Sequence, residues 1–105
     1  MYRLEEKEID LPEKVLVGLQ AMGKKLDLSQ IILFGSRARG TNGERSDIDL
    51  ALYAGDTKRY YHILDFLEEI ETLLMFDIVD LNGGAVSRDL LDEIQRDGVI
   101  LYEKV

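Results

Sequence analysis

Apolar residues near the start of the chain recur at the three- and four-residue intervals of a helix. Asp10, followed three residues later by Glu13, is typical of a capped helix start, and Pro12 suits the first turn. We therefore predict a first helix over about 11–25. Its buried stripe would consist of Val15, Leu16, Leu19, Met22 and Leu26.

The pattern then changes to short apolar runs, which predict strands. The uninterrupted run 31–34 predicts a buried strand, and residues 35–46, rich in Gly, Asn, Ser and Arg, predict a loop or a short helix. From Asp47 the pattern alternates, so this stretch predicts a second strand with both of its aspartates at the leading end. One face would carry Asp47, Asp49, Ala51 and Tyr53, and the other Ile48, Leu50 and Leu52.

The second half of the chain repeats this alternation of helix and strand. Asp56 or Thr57 is predicted to cap a second helix, with an apolar stripe of Ile63, Phe66, Leu67, Ile70, Leu73 and Leu74. This stripe is predicted to be core, or core together with a partner surface. Three further elements follow: a strand over 75–81, a helix capped by Ser87 and ended by Gly98, and a strand over 99–103.

Helices that alternate with strands in a short chain predict an α/β (α+β) fold with one mixed sheet of about four strands covered by helices. The chain has 105 residues, and we expect a single domain over 1–105. At this size roughly 65% of the unfolded surface is buried, which is enough for one modest core.

Composition and charge exclude several classes of function. The chain has no cysteine, so it has no disulfide, thiolate metal site or cysteine nucleophile. Its net charge of −8 disfavours broad, sequence-independent nucleic-acid binding. The apolar runs are far shorter than the roughly 20 residues of a membrane helix, and the N-terminus lacks a signal-peptide pattern. We therefore expect a cytoplasmic protein that does not bind a membrane.

The stretch "IILFGSRARGTNGERSDIDLALY", residues 31–53, contains the candidate chemistry. Asp47 and Asp49 lie two residues apart on one face of a strand, with Cα atoms about 6.6 Å apart. They can therefore face one pair of Mg²⁺ ions, which prefer oxygen ligands and stabilise both the attacking and the leaving oxygen of a displacement. Gly35 permits close backbone approach, and Ser36 offers a hydroxyl and an amide to a phosphate oxygen.

A third carboxylate from a neighbouring strand would complete such a site, and Asp77 is our choice. Asp77 lies in an apolar segment, where an unpaired carboxylate would cost several kcal/mol to bury, and a metal ion would compensate for that cost. Asp80 is the competitor. It would point to the opposite face of the strand, near the "NGG" exit, where solvent can hydrate it.

Three arginines are candidate partners for the phosphates of a nucleotide. Arg37, Arg39 and Arg45 lie within a nine-residue span of an acidic protein. Each of them is also open to a simpler role as a surface charge that balances nearby Glu44 or Asp47.

These motifs resemble those of a known family. "GSRARG", followed by "SDIDLAL" and later by "FDIVDLN", is similar to the minimal nucleotidyltransferases of the DNA polymerase beta-like superfamily, over roughly residues 28–104. The resemblance implies the small polymerase beta-like nucleotidyltransferase fold. It implies that Gly35 and Ser36 bind the triphosphate, that Asp47 and Asp49 hold Mg²⁺ or Mn²⁺, and that Asp77 is the third acid and the candidate general base.

The resemblance also implies an activity and a partner. The family transfers a nucleoside monophosphate from a triphosphate such as ATP to a hydroxyl or similar acceptor and releases pyrophosphate. Its minimal members are often encoded beside a helical HEPN-type partner, and some of them silence that toxic partner by adding AMP to it. The sequence marks neither the nucleobase nor the acceptor.

A chain this small has little surface left with which to recognise an acceptor. We therefore expect a second chain to supply it, either a helical HEPN-type protein or another copy in a homo-oligomer. The alternative function is a non-catalytic nucleotide-binding module that neutralises or scaffolds its partner by binding alone. The presence of all three acids and of the Gly-Ser turn argues for an active enzyme.

Overall fold

Five strands form one sheet, and four helices pack around it, in the computed structural model, which describes residues 1–105. The elements in chain order are β1 (Tyr2–Arg3), a 3-10 turn (Leu4–Glu6), α1 (Glu13–Lys25), β2 (Gln30–Phe34), α2 (Gly35–Arg39), β3 (Ile48–Leu52), α3 (Thr57–Glu69), β4 (Phe76–Asp80), α4 (Arg88–Asp97) and β5 (Val99–Glu103). The predicted α/β class with a mixed sheet is confirmed. The additional strand, β1, has two residues and is too short to leave an apolar pattern in the sequence.

The sheet has the order β1-β5-β2-β3-β4, so β4 and β1 are its edges. The central strand β2 is antiparallel to both of its neighbours, β3 and β5, whereas β3 and β4 are parallel. This arrangement gives Asp49 two neighbours in register, Phe34 on β2 and Asp77 on β4. The leading ends of β3 and β4 therefore meet at the turn that follows β2.

Each face of the sheet is covered by different helices. Helices α1 and α3 pack on the face that carries Leu50 and form the larger core with it. Helix α4 covers the opposite face through a smaller cluster of Ile32, Phe34, Ala51 and Ile94. Because side chains alternate along a strand, Asp49 and Ala51 share this second face. None of the helices has both the length and the apolar composition that a membrane span requires.

Helix ends that depend on local side chains agree with the predictions. Asp56 Oδ1 accepts a hydrogen bond from the Arg59 amide at 2.8 Å, and Ser87 Oγ accepts one from the Leu90 amide at 3.2 Å. Gly98 ends α4. These caps satisfy amide groups that have no partner inside the first turn of a helix.

Two helix ends differ from the predictions. Helix α1 begins after Pro12, without a side-chain cap, because the Asp10 carboxylate instead accepts a hydrogen bond from Asn42. Helix α3 ends at Glu69, whereas its apolar pattern continues to Leu74. Ile70 leaves the helix in an extended conformation and packs its side chain against Gly18 of α1.

Candidate active site

Two carboxylates lie side by side at the leading ends of β3 and β4. Asp49 is directly paired with Asp77 in the parallel ladder, and residues paired in this way project from the same face of a sheet. Asp47 immediately precedes β3 and is exposed, and the amide that follows it, that of Ile48, donates to the Met75 carbonyl at 2.8 Å. The fold thus brings the three acids to one end of two neighbouring strands.

The bend after β2 lies against one of these acids. Gly35 has φ +73°, in the left-handed region that favours glycine. A Cβ atom at Gly35 would overlap Asp49 Oδ2 and would lie 3.1 Å from Asp49 Cγ. Helix α2 starts at Gly35, so the first amides of this helix, including that of Ser36, have no partner within the helix and begin at the bend that contacts Asp49. Glycine is therefore needed here both for its backbone conformation and for the space that Asp49 occupies.

The electrostatics of the site are dominated by like charges. The pKa of Asp49 is raised above its usual value, first by burial and then by the negative charges of Asp77, Asp47 and Glu93, while Arg39 offsets part of this shift. None of Asp47, Asp49 and Asp77 forms an ion pair with a basic residue. A cation would relieve this repulsion.

The two candidate acids of β4 have different surroundings. Asp77 is exposed because β4 is an edge strand, so the predicted cost of burying it does not arise. Asp80 pairs with Leu52 in the ladder and therefore projects from the face opposite Asp49. Its carboxylate accepts hydrogen bonds from the amides of Ala54, at 3.1 Å, and Asn82, at 3.0 Å. Asp80 therefore holds the turn after β4, and only Asp77 faces Asp49.

Arg37 requires a correction to its predicted role. Its side chain is 2% exposed, and its guanidinium donates to three backbone carbonyls. The acceptors are Asp10 at 2.7 Å, Ser46 at 3.0 Å and Glu44 at 3.1 Å. A buried guanidinium with these partners is not available to a phosphate, so Arg37 is not a nucleotide-binding residue in this structure. It fixes the loop that leads to Asp47.

The other two arginines are exposed. Arg39 Nη1 lies 3.6 Å from Glu93 Oε2 on α4, close enough to the acids to influence Asp49. Arg45 forms no ion pair with the protein. The loop between them is ordered by the Ser46 hydroxyl, which accepts a hydrogen bond from the Gly43 amide at 2.9 Å. Arg39 and Arg45 therefore keep their predicted role as candidates for phosphate binding.

Sequence reasoning missed two residues of the site. Glu93 is half-buried on α4 and contributes negative charge near Asp49. Only its place on the helix that crosses the sheet reveals this, because no motif connects it with Asp49. Asp10 was interpreted as a helix cap, whereas its carbonyl binds Arg37 and its carboxylate binds Asn42 at 2.9 Å.

The fit of a metal ion rests on the chemistry of these side chains. In this conformation no group of three His, Asp or Glu side chains is arranged to hold a metal ion. The carboxylate oxygens are nevertheless the ligands that a hard divalent cation prefers, and its charge would offset the repulsion between Asp49 and its acidic neighbours. A concavity of about 740 Å³ lies elsewhere, between α1 and the end of α3.

Comparison with known proteins identifies relatives of this arrangement. The profile of the family described as "Polymerase beta, Nucleotidyltransferase" matches residues 19–105. No curated protein matches the chain significantly.

Three solved structures are similar to the protein in fold. A toxin–antitoxin crystallised with AMP-PNP is 26% identical, with a TM-score of 0.60, and the match covers 85% of this chain and 73% of that chain. The complex of a tri-AMPylated Shewanella oneidensis HEPN toxin with its MNT antitoxin is 20% identical, with a TM-score of 0.61 and coverage of 90% and 74%. A putative nucleotidyltransferase from Sulfolobus solfataricus is 19% identical, with a TM-score of 0.52 and coverage of 87% and 82%.

The family profile spans most of the chain, including the Gly35 bend and all three acids. The fold agrees with that of solved relatives. The chain therefore belongs to the polymerase beta family of nucleotidyltransferases.

Proposed function

We propose that the protein transfers AMP from ATP, with Mg²⁺, to a hydroxyl group on a helical partner of the HEPN type and thereby acts as the antitoxin of a toxin–antitoxin pair. Two relatives support this choice of nucleotide and partner. One is a toxin–antitoxin crystallised with AMP-PNP, and the other is an MNT antitoxin bound to a tri-AMPylated HEPN toxin. ATP is preferred to another nucleoside triphosphate on this ground alone.

One observation carries the proposal. Asp49 is paired with Asp77 across two parallel strands, directly beside the Gly35 bend. This arrangement puts negatively charged oxygens next to a turn whose amides can bind phosphate. Without a cation, the raised pKa of Asp49 reflects an environment that disfavours its charged form.

The protein's own residues would divide the work in the following way. The Gly35–Ser36 turn binds the terminal phosphates, and Arg39 and Arg45 contribute positive charge near them. Asp47, Asp49 and Asp77 would hold the metal ions, which supply charge neutralisation at the phosphates when bound. Asp47 and Asp77 are exposed, so their side chains have room to turn towards an ion.

The chemical step is an in-line displacement at the α-phosphorus. The acceptor oxygen forms a bond to this phosphorus, and the bond from phosphorus to the bridging oxygen of pyrophosphate breaks. The acceptor hydroxyl gives up its proton, for which Asp77 is the candidate base because it is the most exposed strand-borne acid beside Asp49. Catalysis then consists of positioning and charge stabilisation.

The test is incubation of the protein with ATP labelled on the α-phosphate and with the product of the adjacent reading frame. We expect covalent label on that second protein, with a mass increase of one or more AMP groups. Asp47→Asn and Asp49→Asn should abolish the label. Asp65→Asn is the matched control, because Asp65 is an exposed aspartate on α3, outside the site, and should leave the label unchanged.

Other outcomes separate the alternatives. Binding of ATP and of the second protein without covalent label would identify the non-catalytic module. Label on the protein's own chain, together with a mass larger than one copy, would identify another copy as the acceptor.

A further inference from the structure

A groove lies between α1 and the end of α3, on the side of the sheet away from Asp49. It has a volume of about 740 Å³. Its floor is apolar or small and consists of Val17, Gly18, Ala21, Phe66 and Ile70. Gly18 is essential to its shape, since a Cβ atom there would lie 3.0 Å from the Ile70 side chain. The absence of a side chain at Gly18 thus lets Ile70 pack directly on α1 and form part of the floor of the groove.

A second concavity of about 370 Å³ adjoins the groove and shares Ile70 with it. Leu64, Leu67, Leu74 and Met75 contribute to its apolar lining. Large side chains around both cavities are strongly exposed, with Val17 at 57%, Met75 at 69% and Leu73 wholly exposed. We call this continuous region the α1–α3 surface. Contiguous exposed apolar surface of this kind marks a site of protein interaction.

The charges around the α1–α3 surface are mostly negative. The two cavities are lined by four glutamates and one lysine: Glu13, Glu68, Glu69, Glu71 and Lys14. The lysine is paired with Glu71 at 3.4 Å. A second copy of the chain, which also has a net charge of −8, would bring like charges together at this surface. The complementary occupant is therefore a different, positively charged protein.

We propose that the α1–α3 surface binds an amphipathic helix of another protein, with an apolar stripe flanked by Lys or Arg residues. A groove with an apolar floor between two helices accepts the apolar side chains of such a helix, and the glutamates bind its basic flanks. The Met75 carbonyl accepts the Ile48 amide, so the surface extends to the strand ends that carry Asp47 and Asp77. A docked partner would leave the opposite face of the sheet open. Its role as the acceptor rests on the proposed function, whereas docking itself does not.

The test is binding of three synthetic peptides to the full chain, followed by backbone amide NMR shifts. Each peptide has about 18 residues, or roughly 27 Å as a helix. The first carries a leucine stripe flanked by lysines, the second replaces lysine with glutamate, and the third replaces leucine with serine. Only the first should bind, with shift changes concentrated at Gly18, Ile70 and their neighbours. Its affinity should fall at least about tenfold as the salt concentration is raised from roughly 0.05 to 0.5 M.

Variants of the protein make the test specific. Val17→Asp and Glu69→Lys should each weaken the first peptide by about tenfold, through loss of apolar contact and of charge attraction. Tyr61→Asp is the control, because Tyr61 is an exposed aromatic residue on α3 that lines neither cavity, and it should leave the affinity unchanged. Unchanged melting temperatures would show that Val17→Asp and Glu69→Lys remain folded.

The proposal is overturned if the first peptide does not bind, if all three peptides bind equally, or if Tyr61→Asp weakens binding as much as Val17→Asp. The outcome is separable from that of the proposed function. Peptide binding without AMP transfer would leave the docking surface in place and reject the transferase proposal. If Val17→Asp transferred AMP to its partner as fast as the wild type, the transferase proposal would stand and the docking surface would be rejected.

Discussion

Two groups of polar side chains near the ends of the strands have different surroundings in the fold. Arg37 and Asp80 are placed among backbone groups, and they bind three carbonyls and two amides, respectively. Asp49 and Asp77 project from the same face of the sheet, Asp47 immediately precedes β3, and none of the three forms an ion pair. The pKa of Asp49 is raised by burial and by the negative charges of the other two acids. The first group holds the loops in place. The second keeps unfavourable charge together, as expected where a cation and a nucleotide are to be bound.

The largest effect should come from removing charge within the second group. Asp49→Asn should lower the rate of AMP transfer by roughly a thousandfold, because several kcal/mol of charge stabilisation in the transition state would be lost. Initial rates with labelled ATP would measure the loss. A rate within about twofold of wild type would mean that the charge of Asp49 is not used in catalysis.

A smaller loss should follow from crowding the same carboxylate. Gly35→Ala would drive a methyl group into Asp49 and should reduce transfer by about a hundredfold, since displacement of a reacting group by about 1 Å has this cost. Gly40→Ala is the matched control, because Gly40 also has a positive φ, +80°, but no atom within 4 Å of an added Cβ. Both variants should lose about 1–2 kcal/mol of stability to backbone strain. Equal rates for the two would contradict the role of the contact with Asp49.

Changing Arg37, in the first group, should lower the stability of the fold more than it lowers the rate of AMP transfer. Arg37→Met would leave three carbonyls without their donor and should lower the free energy of unfolding by about 2–4 kcal/mol. Arg45→Met, at an exposed arginine of the same loop region, should change it by less than about 0.5 kcal/mol. Urea denaturation of both variants would measure the difference. Comparable losses would show that the three hydrogen bonds of Arg37 add little to stability.

The smallest effect is a pH dependence of stability. A carboxyl group whose pKa is higher in the folded than in the unfolded state stabilises the fold at low pH, and this contribution is lost as the pH rises through the folded-state pKa. With divalent cations removed, Asp49→Asn should therefore be more stable than the wild type at neutral pH, and the difference should vanish in acid. Thermal denaturation across this range would test the sign. A variant that is less stable at neutral pH would contradict the account of Asp49.

Features set by neighbouring residues were accessible from the sequence. Asp56 and Ser87 cap their helices because each carboxylate or hydroxyl lies three residues before its amide partner. The alternation along β3 correctly separates Asp49 from Leu50, because side chains alternate in any strand. The alternation along β4 likewise separates Asp77 from Asp80, although only the pairing of β4 with β3 reveals which of the two faces Asp49.

Features set by distant residues were not accessible. Arg37 has the same local sequence whether it binds phosphate or the carbonyl of Asp10, which lies 27 positions away. Helix α3 ends early because Ile70 packs on Gly18, on another helix, although the apolar pattern continues. The strand β1 is defined by its pairing with β5, which lies almost 100 positions later in the chain. In each case a tertiary contact decides between local possibilities that the sequence leaves equal.

The most direct test of the central claim is a titration with Mn²⁺ in the presence of a non-hydrolysable ATP analogue, followed by electron paramagnetic resonance. If Asp49 and Asp77 share an ion beside Gly35, Asp77→Asn should weaken Mn²⁺ binding by at least about tenfold, and Asp80→Asn should leave it unchanged. Equal binding to the wild type and to Asp77→Asn, or a loss confined to Asp80→Asn, would contradict the claim.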